Sequence, residues 1–325
     1  MIIRDSVLRD MAKLVAWYPL RLSVAASPWR LAYLFGETVG RADALISRRR
    51  RDHIARNLLA AYGDRMTAAE ARCIAGRNIR RHYIEHMEFY KYATLTAANL
   101  SCHIRFEGLE RLEDALKAGR GAILVHMHYG CKQFPLVALG IMGYDVSQIG
   151  YRDEHAEDHS WVHRNVHLRI RMRLENQFRV KHVHVGKSLR PAYETLKRNG
   201  ILMITGDGIG GIRGAGDNYI PLPFLGRTML FPPGPARMAR TTGAALLPLF
   251  CVQQPDYTHA AIIEAPIGQR LTSDREDDVR QTTAEFARVF ETYVRRHPEH
   301  WMFWEEFQEG NLIPSAEVPG GRSEP

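Results

Sequence analysis

The chain has 325 residues, of which 45% are hydrophobic and 25% charged, and this composition excludes a wholly disordered protein. Its formal net charge of +8 at pH 7 favours an anionic partner, such as an acidic carrier protein or a membrane surface. Much of this excess lies in residues 1–60, which hold 11 Lys and Arg against 5 Asp and Glu. The sequence has no helix-turn-helix, RRM or zinc-finger pattern, so we expect no nucleic-acid partner.

Residues 1–45 predict an amphipathic segment that associates with a membrane. Prolines and basic residues interrupt its apolar stretch, which falls short of the roughly 18 uninterrupted apolar residues of a spanning helix. Aromatic residues mixed with arginine are typical of helices in the lipid headgroup plane. The aromatic residues are Trp17, Tyr18, Trp29, Tyr33 and Phe35. The alternative is a helical hairpin packed on the rest of the chain.

Residues 46–100 are predicted to be helical. Thr67 followed three residues later by Glu70 forms the pattern of a capping box, which marks the start of a helix. The apolar spacing after this box predicts one buried stripe that continues to about Tyr92.

From residue 101, buried-looking runs alternate with amphipathic stretches. The predicted strands cover 102–108, 121–127, 144–152, 179–185, 201–206, 244–252 and 259–265, and the predicted helices cover 109–119, 134–143, 156–178, 187–199, 233–243 and 276–296. This alternation predicts an α/β fold with a mixed, mostly parallel sheet flanked by helices. The core would cover 101–313, as part of one domain over 46–313, and residues 314–325 would form a disordered tail.

Titratable side chains gather where the strand GAILVHM ends. His126 and His128 stand at this end, and Gly130 permits a tight turn after them. Reactive residues of α/β proteins collect at such strand ends. We therefore expect the functional site here.

Two blocks resemble a known family. HYGCKQ (128–133) is similar to the His-x4-Asp/Glu block of bacterial lipid A biosynthesis (late) acyltransferases, a branch of the lysophospholipid acyltransferase superfamily. Residues 206–250 resemble that family's Asp-containing turn, its PF(F/L)G segment and the helix and strand that follow, and WMFW (301–304) matches its aromatic segment.

The resemblance implies a glycerolipid-acyltransferase-like fold and an O-acyltransferase. The enzyme would move a fatty acyl group from acyl-carrier protein or acyl-coenzyme A to a hydroxyl of a membrane lipid or glycolipid. His128 would be the general base. The resemblance implies no cofactor beyond the donor, and a peripheral position on the cytoplasmic face of the bacterial inner membrane, whose anionic surface the basic chain would contact.

The sequence departs from the family at Gln133, where a carboxylate is expected. A carboxylate on the second ring nitrogen would fix the tautomer of the base and stabilise its imidazolium. Three interpretations follow. Gln133 orients His128 in an active enzyme; another carboxylate such as Asp207 or Asp217 replaces it; or the chain is an impaired relative that binds lipid.

The resemblance also implies substrate-binding residues, which are Arg152, Asp207, Gly234 and Arg237. A second departure is Glu305-Glu306, where the family usually has His and Arg. Two carboxylates repel phosphate, so this pair argues against a phosphosugar acceptor like lipid A.

The four cysteines are scattered without a CxxC pair, which indicates reduced thiols and predicts no metal site. His155, His159, His163 and His167 repeat every four residues but lack the HExxH order of zinc proteases. Two residues near His128 are secondary candidates for the site: His126, and Cys131 as a nucleophile.

Overall fold

The computed structural model describes residues 7–151, 161–162, 165–166, 169–170, 173–174, 177–185, 188–207 and 219–314. The helices given from end to end are α1 (Val7–Val15), α2 (Arg21–Ala26), α3 (Trp29–Ile46), α4 (Arg48–Tyr62), α5 (Ala68–Lys91), α6 (Leu109–Lys117), α7 (Gln133–Ile141), α8 (Arg190–Lys197), α9 (Gly234–Thr242) and α10 (Arg275–Arg296). A π-helix covers Ala16–Leu20, and short 3-10 helices cover Gly63–Arg65, Tyr92–Thr94, Leu100–Cys102, Pro298–His300 and Met302–Trp304.

The strands are β1 (Ile104–Glu107), β2 (Ala122–His126), β3 (Val146–Tyr151), β4 (Val180–Val185), β5 (Ile201–Thr205), β6 (Ile220–Phe224), β7 (Arg227–Phe231), β8 (Ala245–Gln253) and β9 (His259–Ile263). Seven of them form one sheet in the order β1-β9-β8-β2-β5-β3-β4. Only the β8–β9 pair of this sheet is antiparallel. The predicted α/β fold with a mixed, mostly parallel sheet flanked by helices is confirmed.

The centre of the sheet is buried on both faces. Residues 122–126 of β2 are all buried, and so are residues 201–204 of β5. Central strands covered by helices are expected to read as continuous apolar runs, as these do. This is why the sequence identifies β2 and β5 clearly as strands.

The β6–β7 hairpin was not predicted. The sequence of β6 does not read as a strand, because it contains Pro221 and Pro223 and proline is rare in central strands. Proline is tolerated here because β6 pairs only with β7, in a two-stranded ribbon. The two-residue turn has positive φ at Leu225 (51°) and Gly226 (76°), the backbone of a type I′ hairpin turn.

The capping box predicted at the start of α5 is confirmed. Thr67 Oγ1 accepts from the Glu70 N–H, and the Thr67 N–H donates to the Glu70 carboxylate. The helix then packs against α3 at two glycines. A Cβ on Gly36 would lie 2.9 Å from Met87 Cγ, and one on Gly40 would lie 2.7 Å from Arg80 Cα.

The N-terminal helices differ in part from the expected headgroup-plane segment. Trp17 and Tyr33 are buried within the protein, and Trp29 stacks on His103 at 4.1 Å. Tyr18 and Phe35 are exposed. Among the described residues, no helix combines the length and the apolar character needed to cross a bilayer.

The basic helix predicted at 156–178 falls largely outside the described residues. Within it, residues 161–162, 169–170 and 173–174 are α-helical. The four spaced histidines of this segment, Asp217 and the tail from residue 315 also lie outside the described part of the chain.

Candidate active site

His128 and Asp207 are brought together by two neighbouring parallel strands. β2 pairs with β5 so that His126 lies opposite Thr205. His128 follows the end of β2 by two residues, and Asp207 follows the end of β5 by two residues. Equivalent positions after paired strands meet at the same sheet edge, although the two residues are 79 apart in sequence.

The carboxylate of Asp207 holds His128 through both backbone and side chain. Nδ1 of His128 lies 2.9 Å from Oδ1 of Asp207. The backbone N–H of His128 donates to Oδ1 and Oδ2 at 3.1 and 3.0 Å. Because an ionised carboxylate only accepts, Nδ1 must carry the proton.

The second ring nitrogen of His128 is the one left for a substrate. No hydrogen bond to Nε2 comes from the residues that the structure describes. The His128 side chain is 25% exposed, whereas Asp207 is fully buried. Phe303 stacks on the ring with 4.1 Å between centroids, which fixes its plane. The imidazole therefore presents a basic nitrogen at the protein surface.

The charges around the pair favour neutral histidine and ionised aspartate. Burial lowers the pKa of His128 below its ordinary value, Asp207 acts in the opposite direction, and Lys132 lowers it further. Burial alone would raise the pKa of Asp207, but His128 and a hydrogen bond from Trp301 bring it below its ordinary value. A neutral imidazole beside a carboxylate is the state that a general base requires.

Gln133 does not make the hydrogen bond that the motif register assigned to it. It is the first residue of α7 and is buried. Its Oε1 finds no hydrogen-bond partner within the described part of the chain. Nδ1 of His128 is instead bonded to Asp207, the alternative carboxylate considered from the sequence.

The turn that follows β2 is bonded to the aromatic segment near the end of the chain. The Gly130 N–H donates to the His300 carbonyl, and the Met302 N–H donates to the His128 carbonyl, each at 2.8 Å. Gly130 has φ of +57°, and a Cβ there would lie 1.9 Å from the carbonyl oxygen of Cys251. Only glycine fits this turn.

Trp301 completes the polar surroundings of Asp207. Its Nε1–H donates to Oδ2 at 3.1 Å, and the residue is fully buried. Asn78 on α5 donates to the Trp301 carbonyl at 2.7 Å, and Asn57 on α4 donates to the Trp304 carbonyl at 2.7 Å. Two helices thus fix the segment that donates a hydrogen bond to the Asp207 carboxylate.

The sequence analysis assigned no role to Trp301, Asn78 or Asn57. The WMFW resemblance marked the aromatic segment but not its bond to Asp207. Asn57-Leu58, after the Arg-rich run 48–51, was part of the family resemblance but without a role, and a further signal for the asparagines is an amide side chain among apolar neighbours inside a helix. Such a signal indicates a buried hydrogen bond but does not name its partner.

His126 and Cys131 are both buried away from solvent. Burial lowers the pKa of His126 to about 4, so it stays neutral at pH 7. Burial raises the pKa of the Cys131 thiol well above its ordinary value. Its described hydrogen bond is to the Tyr92 hydroxyl at 3.0 Å. This environment does not favour the thiolate that a cysteine nucleophile needs.

The remaining predicted binding residues have no described hydrogen bond to the His128–Asp207 pair or lie outside the described residues. Gly234 opens α9 near the end of β5, where its Cβ position is 4.0 Å from Ile204 Cδ1. Arg237 lies 2.7 Å from the Glu276 carboxylate on α10. Arg152 lies outside the described residues.

One carboxylate of the Glu305-Glu306 pair is already neutralised. Arg50 donates to Glu305 at 2.7 Å and also lies 3.6 Å from Asp43. Burial, followed by the charge of Glu305, raises the pKa of Glu306. The negative charge that this pair offers to a substrate is smaller than its sequence suggests.

The arrangement of His128 and Asp207 can move a proton at Nε2 of His128 while Asp207 stabilises the imidazolium.

The model of the bacterial lipid A biosynthesis acyltransferase family matches residues 10–306. This range runs from α1 through the segment that contains Trp301. Among curated proteins, no relative matches the chain. Because the family match covers nearly the whole chain, the protein belongs to the bacterial lipid A biosynthesis acyltransferases.

Proposed function

We propose that the protein transfers a fatty acyl group from a thioester donor, acyl-carrier protein or acyl-coenzyme A, to a hydroxyl of a membrane lipid or glycolipid. The observation that carries the proposal is the His128–Asp207 pair, with Nε2 on the partly exposed side. The family match supports acyl transfer to a lipid acceptor.

His128 acts first as base and then as acid. Nε2 accepts the proton of the acceptor hydroxyl while its oxygen attacks the thioester carbonyl carbon. The tetrahedral intermediate then collapses, the carbon–sulfur bond breaks, and the leaving thiolate takes the proton back from Nε2. Asp207 stabilises the imidazolium between the two steps. The acyl group arrives already activated, so the reaction needs no further cofactor.

We place the enzyme on the cytoplasmic face of the bacterial inner membrane. Large apolar side chains exposed on the first three helices and the π-helix support this position, because exposed apolar side chains grouped on neighbouring elements are typical of a contact site. They are Val7, Met11, Leu14, Val15, Tyr18, Leu22, Leu31, Leu34, Phe35, Leu45 and Ile46. The basic excess of residues 1–60 favours an anionic lipid surface.

A transfer assay tests the function. Purified protein is mixed with a bacterial lipid extract and labelled palmitoyl-carrier protein or palmitoyl-coenzyme A, and released thiol and labelled lipid are followed. The wild type should label a lipid, and His128→Ala should label none while keeping its melting temperature. The labelled lipid identifies the acceptor, and the productive donor identifies the carrier.

The competing function is a lipid-binding protein without catalysis. The absence of a carboxylate at position 133 motivated this alternative, and Asp207 now supplies that carboxylate. Tight liposome binding by a wild type that releases no thiol with either donor would favour the binding protein and contradict the enzyme.

A further inference from the structure

A second polar cluster lies in the protein interior, built from three distant parts of the chain. Glu88 belongs to α5, Cys131 to the turn between β2 and α7, and His259 begins β9. The three residues are 1, 4 and 1% exposed. One carboxylate oxygen, the thiol sulfur and one ring nitrogen lie within 4.8 Å of one another.

The histidine points into this cluster without a hydrogen bond. Nε2 of His259 lies 2.8 Å from Oε1 of Glu88. Neither ring nitrogen makes a hydrogen bond within the described part of the chain, so the N–H direction does not meet that oxygen. A short contact with a misaligned N–H is not a hydrogen bond, so the buried ring nitrogen keeps its capacity to bind a ligand.

The surrounding residues hold the other two side chains. The Tyr92 hydroxyl lies 3.0 Å from Sγ of Cys131, within reach to donate to a thiolate. Gln253 donates to Oε1 of Glu88 at 3.1 Å and accepts from Arg81 at 3.0 Å. Hydrogen bonds of this kind orient metal ligands in proteins.

We propose that Glu88, Cys131 and His259 bind a structural zinc ion. One carboxylate, one thiolate and one neutral imidazole around Zn²⁺ give a site with no net charge, which suits full burial. Mixed oxygen, sulfur and nitrogen donors are typical zinc ligands. Tetrahedral zinc sets its ligand atoms roughly 3.3–3.8 Å apart. Binding would therefore move Nε2 of His259 and Oε1 of Glu88, now 2.8 Å apart, away from each other by about half an ångström.

The ion would brace the catalytic turn. Cys131 is three residues after His128 and one after Gly130, whose N–H donates to the His300 carbonyl next to the aromatic segment. Zinc would join this turn to α5 and to β9. The proposed role of the zinc ion is structural, so the zinc proposal is tested independently of the proposed acyl transfer.

Metal content is the direct test. The full chain is produced with added Zn²⁺, purified without chelator and measured by inductively coupled plasma mass spectrometry. The wild type should hold about one zinc per chain, and folded Cys131→Ala and His259→Gln should hold less than a tenth of that. Cys251→Ala is the matched control, since Cys251 is another buried thiol outside the cluster, and it should keep its zinc.

Cobalt replacement covers the case in which the variants fail to fold. Co²⁺ added to metal-free wild type should give a thiolate charge-transfer band in the near ultraviolet, which Cys251→Ala retains. A wild type without stoichiometric zinc, zinc that persists in folded Cys131→Ala, or cobalt without that band would overturn the proposal. In that case Glu88 and His259 form a buried close contact without a metal ion.

Discussion

Charged groups of opposite sign act on His128. Asp207 raises its pKa and Lys132 lowers it, while Glu85 raises it and lies 3.6 Å from Lys132. The net result, with burial as the largest cause, is a pKa below the ordinary value. His128 is therefore neutral over a wider pH range than a free histidine.

The pH profile should report this balance. Protonated His128 cannot accept a proton, so kcat/KM should fall on the acid side with a midpoint below about 6.5. Lys132→Met removes a charge that lowers the pKa and should move the midpoint up by about half a pH unit. Glu85→Gln should move it down. Shifts of the same sign in both variants would contradict the assigned charges.

We expect substitution of Gln133 to affect kcat less than its position in the family motif suggests. Because Nδ1 of His128 is bonded to Asp207, Gln133→Glu adds no orienting bond. It adds a buried carboxylate and should lower the free energy of unfolding by about 1–3 kcal/mol at pH 7. Urea unfolding and kcat measure the two effects, and a faster, equally stable variant would show that Gln133 is the orienting residue.

The aromatic segment near the end of the chain acts as one element. Trp301 bonds to Asp207, while Trp304 Nε1–H donates to the Pro298 carbonyl at 2.7 Å. The two indoles pack on each other with 4.9 Å between centroids. Only Trp301 has a described hydrogen bond to the His128–Asp207 pair, so the contributions of the two tryptophans can be separated by mutation.

Trp301→Phe and Trp304→Phe form a matched pair. Each keeps an aromatic ring, loses one hydrogen bond and should lower the free energy of unfolding by about 1–2 kcal/mol. Only Trp301→Phe should also lower kcat, by about tenfold, because Asp207 loses a donor. We expect kcat of Trp304→Phe to stay within about twofold of the wild type. An equal kcat loss in both would mean that Trp301 acts through packing alone.

More of the fold than of the candidate active site could be predicted from the sequence. Continuous apolar runs identified central strands such as β2 and β5, shorter or alternating apolar patterns marked the remaining strands of the main sheet, and Thr67 with Glu70 identified the start of α5. The β6–β7 hairpin was not predicted, because the prolines in β6 differ from the usual strand pattern. Local patterns predict elements well since helix and strand periodicity are local properties.

The site depends on contacts between distant residues. Asp207 is 79 residues from His128, and Trp301 is 94 residues from Asp207. The sequence placed His128 and kept Asp207 as an alternative, but it gave the orienting bond to Gln133 by register. Strand order decides which residues meet, and one sequence does not state the order of its strands.

The whole molecule presents an apolar face on its N-terminal helices. Leu31, Leu34 and Phe35 are exposed on α3, at a spacing that places them on one side of the helix. The same helix packs through Gly36 and Gly40 against α5. A helix held firmly by one face can present the other to a membrane.

Vesicle sedimentation tests this face. Leu34→Asp should weaken binding to vesicles containing anionic lipid by about tenfold or more, because a charge replaces an exposed apolar side chain that would enter the membrane surface. Leu271→Asp is the control, since Leu271 is 70% exposed but far from the N-terminal helices in sequence. Equal binding by wild type and Leu34→Asp would contradict the proposed membrane contact.

The central claim is that Asp207 orients the catalytic base, and one comparison of rates tests it most directly. The rate of labelled acyl transfer is measured for wild type, Asp207→Asn and Gln133→Leu, all folded by their melting temperatures. Asp207→Asn should lower kcat by about 10³–10⁴, because it removes the charge that stabilises the imidazolium and the acceptor that fixes the tautomer. Gln133→Leu should stay within about tenfold of the wild type. The reverse order, with Gln133→Leu inactive and Asp207→Asn near the wild-type rate, would contradict the account.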